Sequence, residues 1–112
     1  MAQYQCDLTG DVDDLVAHLD REIPAGSATA KYEDGADHRI GDARMIVRAY
    51  ERYSAFGGNR VSLCVSVLAV GQQLKLSAIT AGGSQAMFFK INTVGEDTFL
   101  AKAVEVIERY RP

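Results

Sequence analysis

Arg60-Val61-Ser62-Leu63-Cys64-Val65-Ser66-Val67-Leu68-Ala69-Val70-Gly71-Gln72-Gln73-Leu74-Lys75-Leu76-Ser77-Ala78 decides the fold. Alternation holds from Val61 to Val67. Val61, Leu63, Val65, Val67 and Ala69 fall on one side, and Ser62, Cys64 and Ser66 on the other. That period of two belongs to a strand with one buried face. Gly71-Gln72-Gln73 then interrupts, and the alternation resumes with Leu74, Leu76 and Ala78 inward. Two alternating runs joined by so short a turn predict an antiparallel hairpin.

Working outward, three more strands are expected. Residues 3–8 place Tyr4, Cys6 and Leu8 on one face and Gln3, Gln5 and Asp7 on the other. Residues 27–33 carry Ala28, Ala30 and Tyr32 on one face, with a turn at Asp34-Gly35-Ala36-Asp37. Ala43–Tyr53 reads with Ala43, Met45, Val47 and Ala49 inward and Arg44, Arg48 and Arg52 outward.

Between the first two strands the period changes to that of a helix. Val12, Leu15, Val16, Leu19 and Ile23 form one stripe, with Asp11, Asp13 and Asp14 at its start and Pro24 at its end. A second helix is expected near the C-terminus, with Thr93 as N-cap and Glu96 completing a capping box. Its broad apolar arc is Phe99, Leu100, Ala103, Val104, Val106, Ile107 and Tyr110, with Leu100, Ala103, Val104 and Ile107 at its centre. Residues 86–91 read equally as a sixth short strand or as a connector. The expected fold is therefore α+β in two layers. A curved antiparallel sheet of five strands, or six, carries both helices on one face, in the order β-α-β-β-β-β-α.

Bulk properties are those of an ordinary globular chain. The 112 residues suit one domain spanning 1–112, with 47% hydrophobic and 24% charged residues. A net charge of −3 argues against nucleic acid or an anionic membrane surface as partner. Met1-Ala2-Gln3-Tyr4-Gln5 shows no targeting pattern and no long apolar run follows, so a cytoplasmic location is expected. Cys6 faces inward and Cys64 outward, so no disulfide is expected between them.

Three places on this framework invite chemistry. Strand parity brings Phe56-Gly57-Gly58-Asn59-Arg60 and Gly82-Gly83-Ser84-Gln85 to one end of the sheet. Glycine pairs there can aim amides at a small polar or anionic ligand, with Asn59, Arg60, Ser84 and Gln85 as further partners. The same glycines also suit turn geometry alone. Strict alternation sets Glu51 and Tyr53 inward beside Thr80, where they would line a pocket mouth. The alternatives for Glu51 are a bulge that turns it outward and an ion pair at the rim. Third, Arg44, Arg48, Arg52 and Lys75, with Tyr50, Ile46, Leu68 and Ile79 interleaved, give a basic outer face for a protein partner, a second copy of the chain, or nucleic acid. No catalytic set can be assembled from His18, expected to be solvated, and His38, expected in a turn. No metal site or cofactor motif is present in the sequence. A non-enzymatic binding module with a small polar or anionic ligand at the glycine-loop end is the leading expectation, and an interaction protein using the basic outer face is the alternative.

Two runs carry a resemblance. One is Tyr50-Glu51-Arg52-Tyr53-Ser54 through Phe56-Gly57-Gly58-Asn59-Arg60-Val61-Ser62-Leu63. The other is Ser77-Ala78-Ile79-Thr80-Ala81-Gly82-Gly83-Ser84-Gln85-Ala86, continuing to Phe88-Phe89-Lys90-Ile91-Asn92-Thr93. They resemble a family of small bacterial single-domain proteins of uncharacterised function. The resemblance implies a cytosolic protein and brings no catalytic residues with it. The element order is also similar to TATA-binding-protein-like and helix-grip architectures, a likeness of topology alone.

Overall fold

A computed structural model describes residues 2–27, 29–53, 60–82 and 89–111, with residues 89–98 described by backbone alone. The element order is β1 (Ala2–Thr9), α1 (Val12–Ala25), β2 (Lys31–Ile40), β3 (Ala43–Tyr53), β4 (Arg60–Val70), β5 (Gln73–Gly82) and α2 (Phe89–Arg109). The five strands form one open antiparallel sheet in the order β1-β5-β4-β3-β2. Both helices lie on one face, α2 over β1, β5 and β4, and α1 against α2 and the β2 side.

The β4–β5 hairpin follows its alternation. Val61, Leu63, Val65, Val67 and Ala69 are buried with Leu74, Leu76 and Ala78, against Leu15 and Leu19 of α1 and Phe99, Ala103 and Ile107 of α2. Tyr4, Cys6 and Leu8 of β1 pack on the same core from its edge. Asp11 caps α1, its carboxylate accepting from the Asp14 amide at 3.0 Å. Pro24 lies in the last turn, one residue before the helix ends.

Four sequence expectations need correction. The second strand begins at Lys31 and runs through residues 34–37 to Ile40, so the turn falls at Gly41-Asp42. Gly35 is needed for close approach instead. A Cβ there would lie 2.7 Å from the Val47 carbonyl oxygen and 2.9 Å from the Tyr32 hydroxyl. A register shift between Tyr32 and Asp34 marks a bulge, and charges crowd the strand, both devices that protect a sheet edge.

The second correction concerns β3, whose faces are the reverse of those expected. Ile46 and Tyr50 are buried, and Arg44, Arg48 and Arg52 share their side, under the helices. Ala43, Met45, Val47, Ala49, Glu51 and Tyr53 face away. Pairing makes the assignment consistent: Ile46 opposes Val67 and Tyr50 opposes Leu63, both core residues. The two largest apolar groups of the strand win the core, and the arginine stems lie alongside while their heads reach carboxylates.

Third, α2 begins at Phe89, so Thr93 and Glu96 lie inside the helix and do not cap it. Residues 89–91 are helical and not a sixth strand; a short apolar run alone does not separate the two states. Fourth, the buried centre of α2 is Phe99, Ala103, Val106, Ile107 and Tyr110, with Leu100 and Val104 only half-buried.

Candidate functional site

The helix-covered face holds a line of charge. Arg44 donates to Asp37 on β2 at 2.6 Å and pairs with Asp13 on α1 at 2.9 Å. Hydrogen bonding to Arg44 holds both carboxyls below their ordinary range. One step along β3, Arg48 reaches Asp20 at 3.2 Å and sits 5.7 Å from the Tyr32 ring centroid. The buried Tyr50 hydroxyl donates to the other oxygen of Asp20 at 2.5 Å. Burial, then the Asp20 carboxylate, raises the Tyr50 phenol well above its ordinary value. Arg52 stacks near Phe99, 5.0 Å from the ring centroid, and burial lowers its pKa. Arg44, Arg48 and Arg52 therefore bind helices to sheet and do not form a basic outer face.

The histidines are structural too. His18 is half-buried, not solvated. Its Nε2 lies 2.7 Å from the Val106 carbonyl oxygen, and its ring lies 5.7 Å from that of Tyr110. His38 is on strand β2, not in a turn. Among the described residues no group of three or more metal-ligating side chains converges. Cys6 and Cys64 are unbridged, half-buried and exposed respectively.

At the glycine-loop end, Tyr53 opposes Arg60 and Val61 opposes Gly82, so strand parity holds for the residues that flank both loops. Gly57, Gly58, Asn59, Gly83, Ser84 and Gln85 lie outside the described residues. Gly82 has φ +120, and a Cβ there would lie 2.6 Å from the Arg60 carbonyl oxygen, so only glycine fits.

Glu51 and Tyr53 stand on the open face, and Thr80 is buried on the covered one, where its hydroxyl donates to the Ala2 carbonyl at 3.4 Å. The three do not line one pocket. Glu51 pairs with Arg60 at 3.2 Å and accepts from the Ser62 hydroxyl at 3.3 Å, the rim pair that was its alternative. A hydrogen bond to Tyr53, then the Glu51 charge, raises the Arg60 pKa. The recess between the end of α1 and α2, beside Glu22, Phe99 and Lys102, holds about 10 Å³, room for one water.

What remains is the outer face of the sheet, which no described element covers. Read across the strands, Ile40 lies beside Ala43, opposite Val70; Met45 opposes Leu68; Val47 opposes Ser66; and Ala49 opposes Cys64. Ile40 is 83% exposed, Met45 41% and Leu68 46%. From Ala43 to Ala49 on β3 and from Cys64 to Val70 on β4, no outward side chain carries a charge. Charge surrounds that stretch: Lys75, opposite Leu68 on β5, pairs with Asp7 at 3.1 Å, Glu51 pairs with Arg60, and Asp34 stands opposite Ala49 on β2. Leu68 and Ile79 were expected on this face; Met45 and Val47 were not. The missing signal lay in α1, where Asp13 and Asp20 recur seven residues apart, about 10.5 Å along a helix. Arg44 and Arg48 recur four apart, about 13 Å along a strand, so the two acids can meet the two bases across the layers.

Fold and site together define a two-layer α+β domain with one helix-covered sheet face and one open face whose centre on β3 and β4 is uncharged. The chain belongs to the family of unknown function DUF6054, whose model matches residues 1–111. No curated protein and no solved structure matches it. Among the described residues no helix is long and apolar enough to cross a membrane.

Proposed function

We propose that the protein is a non-enzymatic interaction module whose working surface is the open sheet face. One observation carries the reading: large apolar side chains, Met45, Leu68 and Val70, stand exposed on an uncharged stretch of β3 and β4, with exposed Ile40 of β2 beside it. Exposed apolar patches on soluble domains mark contact surfaces. The charge-depleted centre with a charged rim is the usual anatomy of a protein interface. The test is a photo-crosslinking residue in place of Leu68, with Lys102 on the exposed side of α2 as the control position. Crosslinked bands in expressing cells from position 68 and not from 102 are expected. Equal patterns from both positions, or none from 68, overturn the reading.

A second reading, a small polar or anionic ligand at the glycine-loop end, is favoured by the adjacency of Arg60 and Gly82. Titrating inorganic phosphate while following backbone amide resonances tests it. Saturable shifts at Arg60 and Gly82, lost in Arg60→Ala, support this reading. Shifts that rise linearly with ionic strength sink it.

A further inference from the structure

We infer that the occupant of the open sheet face is a second copy of this chain, packed face to face about a two-fold axis that crosses β4 near Ser66. The inference rests on the interaction-surface reading above and names its partner.

Size is the first argument. Five strands about 4.8 Å apart, the longest rising about 3.3 Å per residue over ten or eleven residues, present a face on the order of 800 Å². A standard-size interface takes about 800 Å² from each partner. A charged ligand or nucleic acid needs countercharge, which its centre lacks.

Shape is the second argument. Met45 and Leu68 are directly opposed and form a ridge across the two middle strands. Two residues further along, on the far side of Val47 and Ser66, the opposed pair is Ala49 and Cys64, with small side chains. Ridge and hollow therefore lie at equal distances on either side of Ser66. A two-fold axis through that point, across the strands, lays the ridge of each copy over the hollow of the other. This is the self-complementarity that an isologous contact requires. Sheets stacked in this way sit about 10 Å apart with interleaved side chains.

The third argument is charge. Lys75 and Asp7 pair with each other on the same face, and so do Arg60 and Glu51. Lys31 pairs likewise with Glu33 at 3.4 Å, and Asp34 remains as an outward carboxylate opposite Ala49. β2 flanks the ridge with His38, opposite Met45, and carries Asp34 opposite Ala49, so the same two-fold lays His38 of each copy over Asp34 of the other.

Sedimentation equilibrium of the whole chain tests the inference, run from about 1 µM to about 500 µM because interfaces of this size hold at micromolar affinity or tighter. A mass approaching twice 12.2 kDa is expected, and it should persist in high salt, since apolar contacts are not screened. Leu68→Asp should return the mass to that of one chain while leaving the circular dichroism and melting temperature of a folded domain, because Leu68 lies outside the core of the single chain. Met45→Lys on the neighbouring strand serves as the second variant should Leu68→Asp unfold. A wild-type monomer throughout the range overturns the inference. So does a dimer that both folded variants retain. Monomeric wild type together with a crosslink from position 68 to a different protein overturns the second copy and leaves the interaction surface standing. Absence of both dimer and crosslink removes the two readings together.

Discussion

Tyr50 on β3 donates its hydroxyl to Asp20 on α1 at 2.5 Å, across the boundary between the two layers. Tyr50 is fully buried, and the second oxygen of Asp20 takes the Arg48 guanidinium. One carboxylate thus accepts from the buried Tyr50 hydroxyl and from Nε of Arg48, whose Nη1 also reaches the Val47 carbonyl at 3.3 Å. Asp20→Ala should lose about 1–3 kcal/mol, the cost of leaving a buried donor unsatisfied. Tyr50→Phe removes the donor itself and should lose only about 0.5–1.5 kcal/mol, the net worth of one hydrogen bond. Urea denaturation of both variants checks the order; a larger loss in Tyr50→Phe would contradict it.

Acid should loosen the same boundary. Asp13 and Asp37 have folded pKa values lowered by Arg44. A lowered carboxyl adds stability that is present above its unfolded value, about 3.9, and is lost as pH falls through the folded value. Stability should therefore drop below about pH 4. Both carboxylates are substantially exposed, so the effect is modest. In Arg44→Met the decline over that window should be shallower. An unchanged slope in denaturation midpoint against pH would show that these pairs are energetically silent.

Two glycines should resist substitution and one should accept it. Gly82→Ala and Gly35→Ala each push a Cβ against backbone oxygen, at 2.6 Å and 2.7 Å. Each should cost about 1–3 kcal/mol, the range for enforced backbone strain. Gly26 has φ −78 and its nearest contact would be an ordinary 3.5 Å, so Gly26→Ala should be neutral or stabilising by up to about 1 kcal/mol. Thermal melts of the three variants decide this; equal losses would remove the distinction.

Burial along α2 separates two aliphatic truncations. Ile107 is buried and Leu100 only half-buried. Ile107→Ala should cost about 2–5 kcal/mol, as for core truncations, and Leu100→Ala distinctly less. A loss below about 0.5 kcal/mol at Ile107 would mean that α2 does not seat in the core.

These expectations show where the sequence was readable. β1, β4 and β5 each carry apolar residues at one parity, so alternation assigned their faces and the core on them. β3 carries apolar residues at both parities. Met45, Val47 and Ala49 outnumber Ile46 and Tyr50, but volume prevailed over number, and α1 supplied the acids that let arginines lie on the covered side. Glu51 and Tyr53 then followed their parity outward. The run at residues 34–37 has turn composition, yet on an edge strand the same polar residues are protective. The open apolar face was hidden for the same reason as the β3 reversal: it became visible only once Met45 and Val47 were turned to the outside, opposite Leu68 and Ser66.

The most direct test of the open face as a contact surface uses the cysteine within it. Cys64 is exposed on the outer face, and Cys6 is half-buried on the covered one, where burial raises its thiol pKa. The alkylation rate of Cys64 should be fast in dilute protein and fall steeply as protein concentration rises, with Cys6 slow throughout. In Leu68→Asp the Cys64 rate should stay fast at every concentration. A Cys64 rate that is independent of both concentration and that substitution would contradict the account.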